Sequence, residues 1–527
     1  MNKLYIAMLM CGASLMASAQ ATFDVLKLSE TELSGTSRYM SMAGAYGAVG
    51  GDISAILQNP GGIGIYRSSD VAVTMNLNFL STKSASGDNL TDTKFNFNNI
   101  GYVGSMKIDS DFFKYFNWGF TFNRVNSFNR RYQGCYAVGT SLTNRVAAAL
   151  NAGGWNEVDL STNNYDGNIY YQSNAPWLGI LAYQSYLING TSDGHLQGLA
   201  GDMTSGKANY YVDEKGHTDE YNITLGGNFA NKVYWGINFG ITDLKFDSYQ
   251  YYGEDLDHAY IYNYDVDNGA VTTGYAGFDF QSYQLTKGTG YNFKMGVIVK
   301  PINELRLGAA FHTPTYYDMK DLYKVQSGVD LLMDNFSSDN KFSDNTETGE
   351  EGYYDEYRYT IKTPWRFMGS IAVVPTSKGL ISFDYEYTGA NTIRCGDEGG
   401  SNYLDTEAKI KDQLQAQHTL RVGGEYRVTP NLSLRAGYAY QTSPVKDFVK
   451  GKANGDVDVV SSNYMYQYDK NNQYITCGLG YRYKHFYADA AYVHRARTSQ
   501  YHAYPGEEGE EIKDHNNKVA LTIGFRF

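Results

Sequence analysis

From residue 69 onward, apolar and polar side chains alternate along the chain with a period of two. In the first such run the apolar positions are Val71, Val73, Met75, Leu77 and Phe79. Successive side chains of a β-strand point to opposite faces, so each run predicts a strand with one apolar and one polar face. Many runs reach roughly nine to eleven residues, the length that a tilted strand needs to cross a bilayer.

Fourteen runs of this kind follow one another, and their connectors alternate between short turns and long polar loops. This asymmetry is typical of outer-membrane barrels, which close their own sheet edges in lipid. The sequence therefore predicts an all-β fold, a 14-stranded antiparallel transmembrane β-barrel over residues 69–527. Because the number of strands is even, both termini are expected on the same side of the barrel as the short turns, which is the periplasmic side. The runs cover residues 69–80, 93–107, 117–129, 218–229, 232–250, 278–300, 304–317, 354–374, 379–389, 414–428, 431–442, 472–484, 486–498 and 516–527.

Composition removes several other classes of protein. The net charge of −12 disfavours a nucleic-acid partner, which needs a basic face. Beyond the first residues, no stretch approaches the ~20 consecutive apolar residues of a membrane helix. Four cysteines among 527 residues exclude a disulfide scaffold. The wide spacing of Cys135, Cys395 and Cys477 gives no metal cluster and leaves their pairing open.

Both ends of the chain carry signals for export and assembly. Residues 1–19 form a predicted signal peptide with Lys3, a short apolar stretch and an A-x-A site ending at Ala19, so the mature chain is expected to begin at Gln20. Cys11 makes a lipid anchor the less favoured alternative. The chain ends on Phe527, which resembles the terminal aromatic signature read by the barrel-assembly machinery. These features predict the outer membrane of a Gram-negative bacterium, in contact with lipid and lipopolysaccharide.

Residues 20–68 precede the first strand and do not alternate. They are rich in Gly, Ala and Ser, which allow close packing of backbone against a barrel wall. A periplasmic linker is the alternative, but a linker would hold more charge and less Ile, Val and Leu. We therefore expect this segment to fold into the lumen as a plug.

The run from Asp52 through Asn59-Pro60-Gly61-Gly62 resembles the N-terminal hatch of the FadL/TodX family. In this family an Asp precedes Asn-Pro-Ala, so Gly61 departs from the pattern. The stretches 311–314 and 363–367 also resemble the family. The family consists of outer-membrane transporters of long-chain fatty acids and aromatic hydrocarbons, and its barrel has fourteen strands.

The resemblance implies a passive transporter of hydrophobic small molecules. The ligand would be captured under the outer loops and released laterally through a kinked third strand after the hatch shifts. Strand three contains Gly119 and the polar run from Asn123 to Ser127, where pairing could be weak. Asp52, Asn59, Pro60 and Gly61 would shape the hatch. The candidates for the inner pocket are four apolar residues near the mature N-terminus, Phe23, Val25, Leu26 and Leu28.

Two features of the barrel leave alternatives open. Inward-facing cations could meet a ligand carboxylate, or they could form a lumen ion-pair network with Asp384, Glu386 and Glu425. The insertion at 130–217 has loosely helical apolar stretches, which would either capture ligand or simply fold the loop. The candidate cations are Arg306, His312, Arg421 and Arg435.

No motif indicates an enzyme. The nine histidines form no H-E-x-x-H, no G-x-S-x-G elbow occurs, and neither a cofactor nor a metal is implied. Two other functions remain on the same scaffold, a non-transporting adhesin or structural barrel and a receptor for a haem-type ligand. A monomer is expected, since no outward face is suited to protein contact.

Overall fold

The computed structural model describes residues 22–167, 169–173, 175–262, 271–333, 340–345, 355–449, 465–504 and 507–527. The predicted signal peptide and its cleavage site lie outside these residues. No helix within the described ranges is long and apolar enough to cross a membrane.

The described chain is dominated by strands that form one antiparallel sheet, apart from the small hairpin β5–β6. The sheet closes because β1 pairs with both β2 and β21. The strands are β1 Asp70–Ser84, β2 Asn89–Lys107, β3 Phe113–Ser127, β4 Arg130–Ala137, β5 Ile188–Gly190, β6 Leu196–Gly198, β7 Ser205–Phe229, β8 Val233–Tyr262, β9 Val271–Ile302, β10 Leu305–His312, β11 Tyr316–Met333, β12 Asn340–Asn345, β13 Asp355–Lys362, β14 Arg366–Thr376, β15 Gly379–Thr388, β16 Arg394–Asp397, β17 Gln417–Arg427, β18 Leu432–Thr442, β19 Tyr466–Tyr483, β20 Phe486–His502 and β21 Glu510–Arg526.

These strands make a closed barrel of fourteen, which confirms the predicted fold. Four barrel strands are interrupted, so that two segments continue one wall. The third is β3 with β4, which both pair with β7. The seventh is β10 with β11, which both pair with β9. The eighth is β14 with β13, and the ninth is β15 with β16.

The period of two separates a lipid face from a lumen face. On β1, Met75 and Phe79 point outward and are 41% and 44% exposed, whereas Asn76 and Asn78 between them are buried in the lumen. The same alternation ends the chain, where Leu521 and Ile523 point outward and Thr522 points inward. An apolar exterior and a polar interior are what a membrane barrel requires.

Residues 22–68, which we call the hatch, lie inside the barrel. They contain the helices α1 Thr22–Leu28, α2 Ser37–Met40 and α3 Ala55–Gln58 and the 3₁₀ helix Pro60–Ile65. The Ser37 amide donates to Thr522 Oγ1 at 2.7 Å, and the Gly47 amide donates to Asp384 Oδ2 at 2.8 Å. Since these partners lie on β21 and β15, the hatch reaches well-separated parts of the wall.

The long-loop side is more regular than the sequence indicates. Predicted loops at 251–277 and 318–353 are in part extensions of β8, β9 and β11. Beyond the membrane both faces of a strand meet water or protein, so the alternation that marks a strand is lost.

The insertion between β4 and β7 folds as a helical cap on the barrel. Its helices are α4 Leu142–Gly153, α5 Glu157–Leu160, α6 Ile169–Gln172 and α7 Trp177–Gln184, with a 3₁₀ turn at Thr162–Asn164. They share an apolar cluster with barrel residues such as Tyr252 and Phe280. Farther along, the 3₁₀ turn Ala390–Thr392 precedes α8 Leu404–Gln413.

Candidate ligand cavity and its gate

Helix α1 places the four predicted pocket residues in an apolar cluster in the outer half of the lumen. Phe23, Val25, Leu26 and Leu28 are all buried there. The Phe23 ring stacks on Tyr466 with a centroid distance of 5.3 Å. Leu26 and Leu28 also line a cavity on the periplasmic side of this cluster.

This cavity, of about 180 Å³, lies between α1 and the rest of the hatch. The hatch borders it along residues 29–34, which we call the tether. Charged and polar wall residues complete it, including Asn123, Arg124, Glu220, Lys294, His312, Arg366, Glu386 and Arg421. An amphipathic molecule would find apolar contacts at α1 and charged groups beneath them.

Most charges around the cavity are already paired. Arg421 and Glu386 form a salt bridge of 2.8 Å. Lys294 pairs with Glu220 across the wall. Arg366 differs, because none of the described carboxylates lies within 4.0 Å of it; it donates to Thr31 Oγ1 at 2.8 Å and to the Ser29 carbonyl at 3.2 Å.

The four predicted lumen cations are divided between two levels of the barrel. His312 and Arg421 line the cavity, and His312 Nε2 donates to the Gln58 carbonyl at 2.9 Å. Arg306 and Arg435 lie nearer the short turns. Arg306 donates to the Val49 carbonyl at 2.8 Å, whereas Arg435 pairs with Glu425 at 2.7 Å and with Asp489.

The hatch motif is held together by its own polar side chains. Asp52 accepts hydrogen bonds from Thr36 Oγ1 at 2.8 Å and from the Ser54 amide at 2.9 Å. Asn59 accepts from the Gly61 amide at 2.9 Å and donates to the Gly47 carbonyl at 2.6 Å. Pro60 begins the 3₁₀ helix, where its fixed φ suits the first position.

The departure from Asn-Pro-Ala at Gly61 has a steric cause. A Cβ on Gly61 would lie 2.9 Å from Val297 Cα and 3.0 Å from the Gly296 backbone on β9. We expect Gly61→Ala to loosen the hatch by roughly 1–3 kcal/mol, the usual penalty for overpacking. Hydrogen exchange of the hatch amides measures this change. Gly369→Ala, whose new Cβ meets nothing within 4 Å, is the control; equal exchange in the two variants would contradict the steric explanation.

The ladder between the second and third barrel strands is incomplete. Its pairs run from Lys107–Tyr115 to Asn99–Asn123 and end there. In the described structure, β2 residues 89–97 pair only with β1, and Asn98 is a bulge in that ladder. Arg131 Nη2 spans the outer end of the gap by donating to the Thr91 carbonyl at 2.9 Å. A window in the backbone ladder, which we call the gate, therefore lies between these two points.

The predicted gate residues occupy different positions. Asn123 forms the last pair beside the window, and Ser127 lies beyond it. Gly119 belongs to the fully paired part, opposite Val103 and Thr224. Arg124, inside the predicted polar run but given no role from the sequence, fills the window by donating to Asn96 Oδ1 at 3.3 Å and pairing with Asp219.

The tether touches the gate directly. Val125 is a bulge in the β3–β7 ladder, and its carbonyl accepts a hydrogen bond of 3.0 Å from the Glu32 amide. The Glu32 carboxylate pairs with Arg495 at 3.4 Å and with Lys518 at 3.3 Å. Spacing in the sequence gave no signal for these contacts, since the partners are remote along the chain.

One tether side chain has unusual electrostatics. Burial, reinforced by repulsion from Asp469, raises the pKa of Glu30 to about 7, although Arg497 and Arg495 oppose the shift. Burial therefore favours the neutral form of this carboxyl more than water does. Among the described residues, no group of His, Cys, Asp and Glu side chains could hold a metal ion. Cys135, Cys395 and Cys477 are free thiols.

An apolar groove of about 450 Å³ lies on the lipid face beside the gate. Ile100, next to the last ladder pair, and Phe120 form part of it and are 46% and 53% exposed. The other apolar and aromatic residues that line it are Val71, Tyr102, Phe122, Tyr221, Ile223, Phe239 and Ile241. The window in the ladder therefore adjoins a surface suited to an alkyl or aromatic group.

Comparison with one solved structure supports the fold, and two further structures are similar at lower TM-scores. A FadL homologue from Pseudomonas aeruginosa superposes with a TM-score of 0.51 at 12% identity, over 94% of this chain and 99% of that one. The P. putida toluene transporter TodX gives a TM-score of 0.49 at 10% identity, with the same coverage. The Ralstonia pickettii toluene transporter TbuX gives 0.43 at 12% identity, again over 94% and 99%. No curated protein sequence matches the chain significantly.

A family profile described as "Outer membrane protein transport protein (OMPP1/FadL/TodX)" matches residues 14–508. The match covers nearly the whole chain and agrees with the barrel and its apolar exterior. Members of this family are channels and transporters for hydrophobic compounds. The chain belongs to the OMPP1/FadL/TodX family and is a β-barrel of the Gram-negative outer membrane.

Proposed function

We propose that this protein passively transports an amphipathic molecule with an acid group, such as a long-chain fatty acid, and releases it laterally into the outer membrane. One observation carries the proposal: a single cavity is bordered both by the hatch tether and by Asn123, Arg124 and Val125 at the gate. The ligand would be captured beneath the outer loops and pass between α1 and the tether.

The driving force is hydrophobic. An alkyl chain gains roughly 0.8 kcal/mol for each CH₂ that leaves water, so no energy source is needed to carry it into an apolar site. The cluster around Phe23, Val25, Leu26 and Leu28 supplies such surroundings within the lumen. The groove beside Ile100 and Phe120 offers comparable surroundings on the lipid side.

Arg366 is the proposed contact for the acid group. It faces the cavity without a carboxylate partner among the described residues, and its hydrogen bonds go to Ser29 and Thr31. A ligand carboxylate forms stronger, charge-assisted bonds to a guanidinium than a neutral oxygen does. His312 and Arg421 border the same cavity and are secondary candidates.

Binding of the acid group by Arg366 would couple ligand capture to ligand release. A carboxylate that takes Arg366 away from Ser29 and Thr31 frees the start of the tether. The neighbouring residue Glu32 holds the bulged Val125 at the gate. Movement of the tether would remove that hydrogen bond and loosen β3 at the bulge next to Arg124.

Arg366→Gln is expected to lower uptake of a radiolabelled long-chain fatty acid at least tenfold, because it removes a charged hydrogen bond of about 1.5–3 kcal/mol. Uptake of a neutral aromatic hydrocarbon should change less than about twofold. The assay uses cells without their own transporter, and Arg358→Gln, at an exposed site on β13, is the control. Equal losses for both ligands would contradict the role given to Arg366.

A further inference from the structure

A second cavity, of about 390 Å³, opens at the short-turn end of the barrel. It is bounded by the β14–β15 turn, the start of β10, the ends of β17 and β21, and the hatch. Its lining contains one acidic side chain, Glu425, and six basic ones, Arg38, Arg67, Arg306, Lys378, Arg427 and Arg526. This excess of positive charge is notable in a chain whose net charge is −12.

The carboxylates nearby do not neutralise the cavity. Glu425 already pairs with Arg38 at 3.1 Å and also with Arg435. Asp70 pairs with Arg526 at 2.8 Å. Within the described chain, Arg67, Arg306, Lys378 and Arg427 have no carboxylate within 4.0 Å, and the buried Nε of Arg306 has no hydrogen-bond partner. Three guanidinium groups and an ammonium group are therefore available to an anion.

We propose that this periplasmic cavity is a binding site for an oxyanion, the phosphate of a free anion or of a phospholipid headgroup. Guanidinium groups suit such oxygens because they donate two parallel hydrogen bonds. The site is distinct from the ligand cavity, and the proposal goes beyond the transport function.

The anion would also act on the hatch. Arg306 and Arg526 donate to the Val49 carbonyl at 2.8 Å and to the Gly51 carbonyl at 3.1 Å, so they hold the periplasmic end of the hatch through neutral acceptors. A bound oxyanion would compete with these carbonyls. Anion occupancy is therefore expected to speed hydrogen exchange of the amides around residues 49–51.

The test measures binding to the purified full-length barrel at constant ionic strength. Inorganic phosphate is titrated and followed by ³¹P NMR, and retention of phosphatidylglycerol is followed by native mass spectrometry. The wild type should bind one of the two probes saturably. Lys378→Gln with Arg427→Gln, both exposed and away from the hatch carbonyls, should weaken that binding about tenfold or more, as expected for lost charge-assisted bonds.

Lys107→Gln with Lys114→Gln is the matched control, since it removes the same charge from another part of the short-turn end. The control should leave binding within about twofold of wild type. Saturable binding of phosphate identifies a free anion, and binding of the phospholipid alone identifies a headgroup; either supports the site. Equal weakening in both double variants, or no saturable binding of either probe, would overturn it. Fatty-acid uptake is measured separately, so a failure here does not coincide with a failure of the transport proposal.

Discussion

A covalent link across the gate is expected to stop fatty-acid uptake. Asn96→Cys and Arg124→Cys, in a chain whose three free cysteines are replaced by serine, place thiols on either side of the window. A short bis-methanethiosulfonate reagent then joins them. Because the proposed exit needs the second and third barrel strands to part, uptake should fall at least tenfold, a change of more than about 1.4 kcal/mol in the barrier. Reduction of the link should restore uptake.

The control joins two strands that are already paired. Thr224 and Asn238 lie opposite each other on β7 and β8, and their side chains are hydrogen bonded at 2.7 Å. Linking cysteines at these positions should leave uptake unchanged. Full uptake with the gate linked would show that the ligand leaves by another path, and the lateral route would have to be abandoned.

Glu425→Ala is expected to weaken the attachment of the hatch to the barrel wall. Glu425 accepts from Arg38 of the hatch and from Arg435 of the wall, so its loss leaves Arg38 without its carboxylate partner. Breaking one side of a fully buried ion pair costs about 3–5 kcal/mol, because the remaining charge stays desolvated. Arg38 and Glu425 are 23% and 14% exposed, so we expect a smaller loss of about 1–3 kcal/mol. In planar bilayers the wild-type barrel should be nearly closed to ions, whereas the variant should open frequently.

Glu398→Gln provides the control for that experiment. Glu398 pairs with Arg358 at 3.8 Å on the exposed outer surface, where an ion pair contributes little. The conductance of the Glu398→Gln barrel should match that of the wild type. A Glu425→Ala barrel that stays as closed as this control would mean that the hatch is held without the ion pair.

The barrel was predictable because the bilayer imposes a repeated rule on every strand. Met75 and Asn76 on β1 show it, since one meets lipid and the other the lumen. The interruptions were not predicted, although Pro314 and Pro364 mark two of them. Proline lacks the amide that a ladder needs, so it ends pairing in the sheet. The strand extensions beyond the membrane were missed because their surroundings impose no alternation.

The site residues were predictable only where a local sequence pattern, such as a run of apolar residues or a turn motif, marks them. Phe23 and Leu26 are apolar residues in a short helix and both are buried, but only Leu26 lines the cavity. Asp52 and Asn59 organise their own turns by local hydrogen bonds. The contact between Glu32 and Val125, like the hydrogen bonds of Arg366 to Ser29 and Thr31, depends on how the closed barrel brings remote residues together. Such pairings leave no spacing in the sequence.

The proposed route takes the ligand from the lumen cavity through the gate to the adjoining lipid face. A long-chain fatty acid bearing a diazirine, photolysed shortly after mixing, tests it by mapping the modified residues with mass spectrometry. We expect labels on Leu28 and Tyr317 in the cavity and on Phe120 in the groove, with Phe120 labelled well above Tyr438, a lipid-facing residue elsewhere on the barrel. Labels that run from the cavity to Leu380 at the periplasmic mouth, with Phe120 no higher than Tyr438, would contradict lateral release.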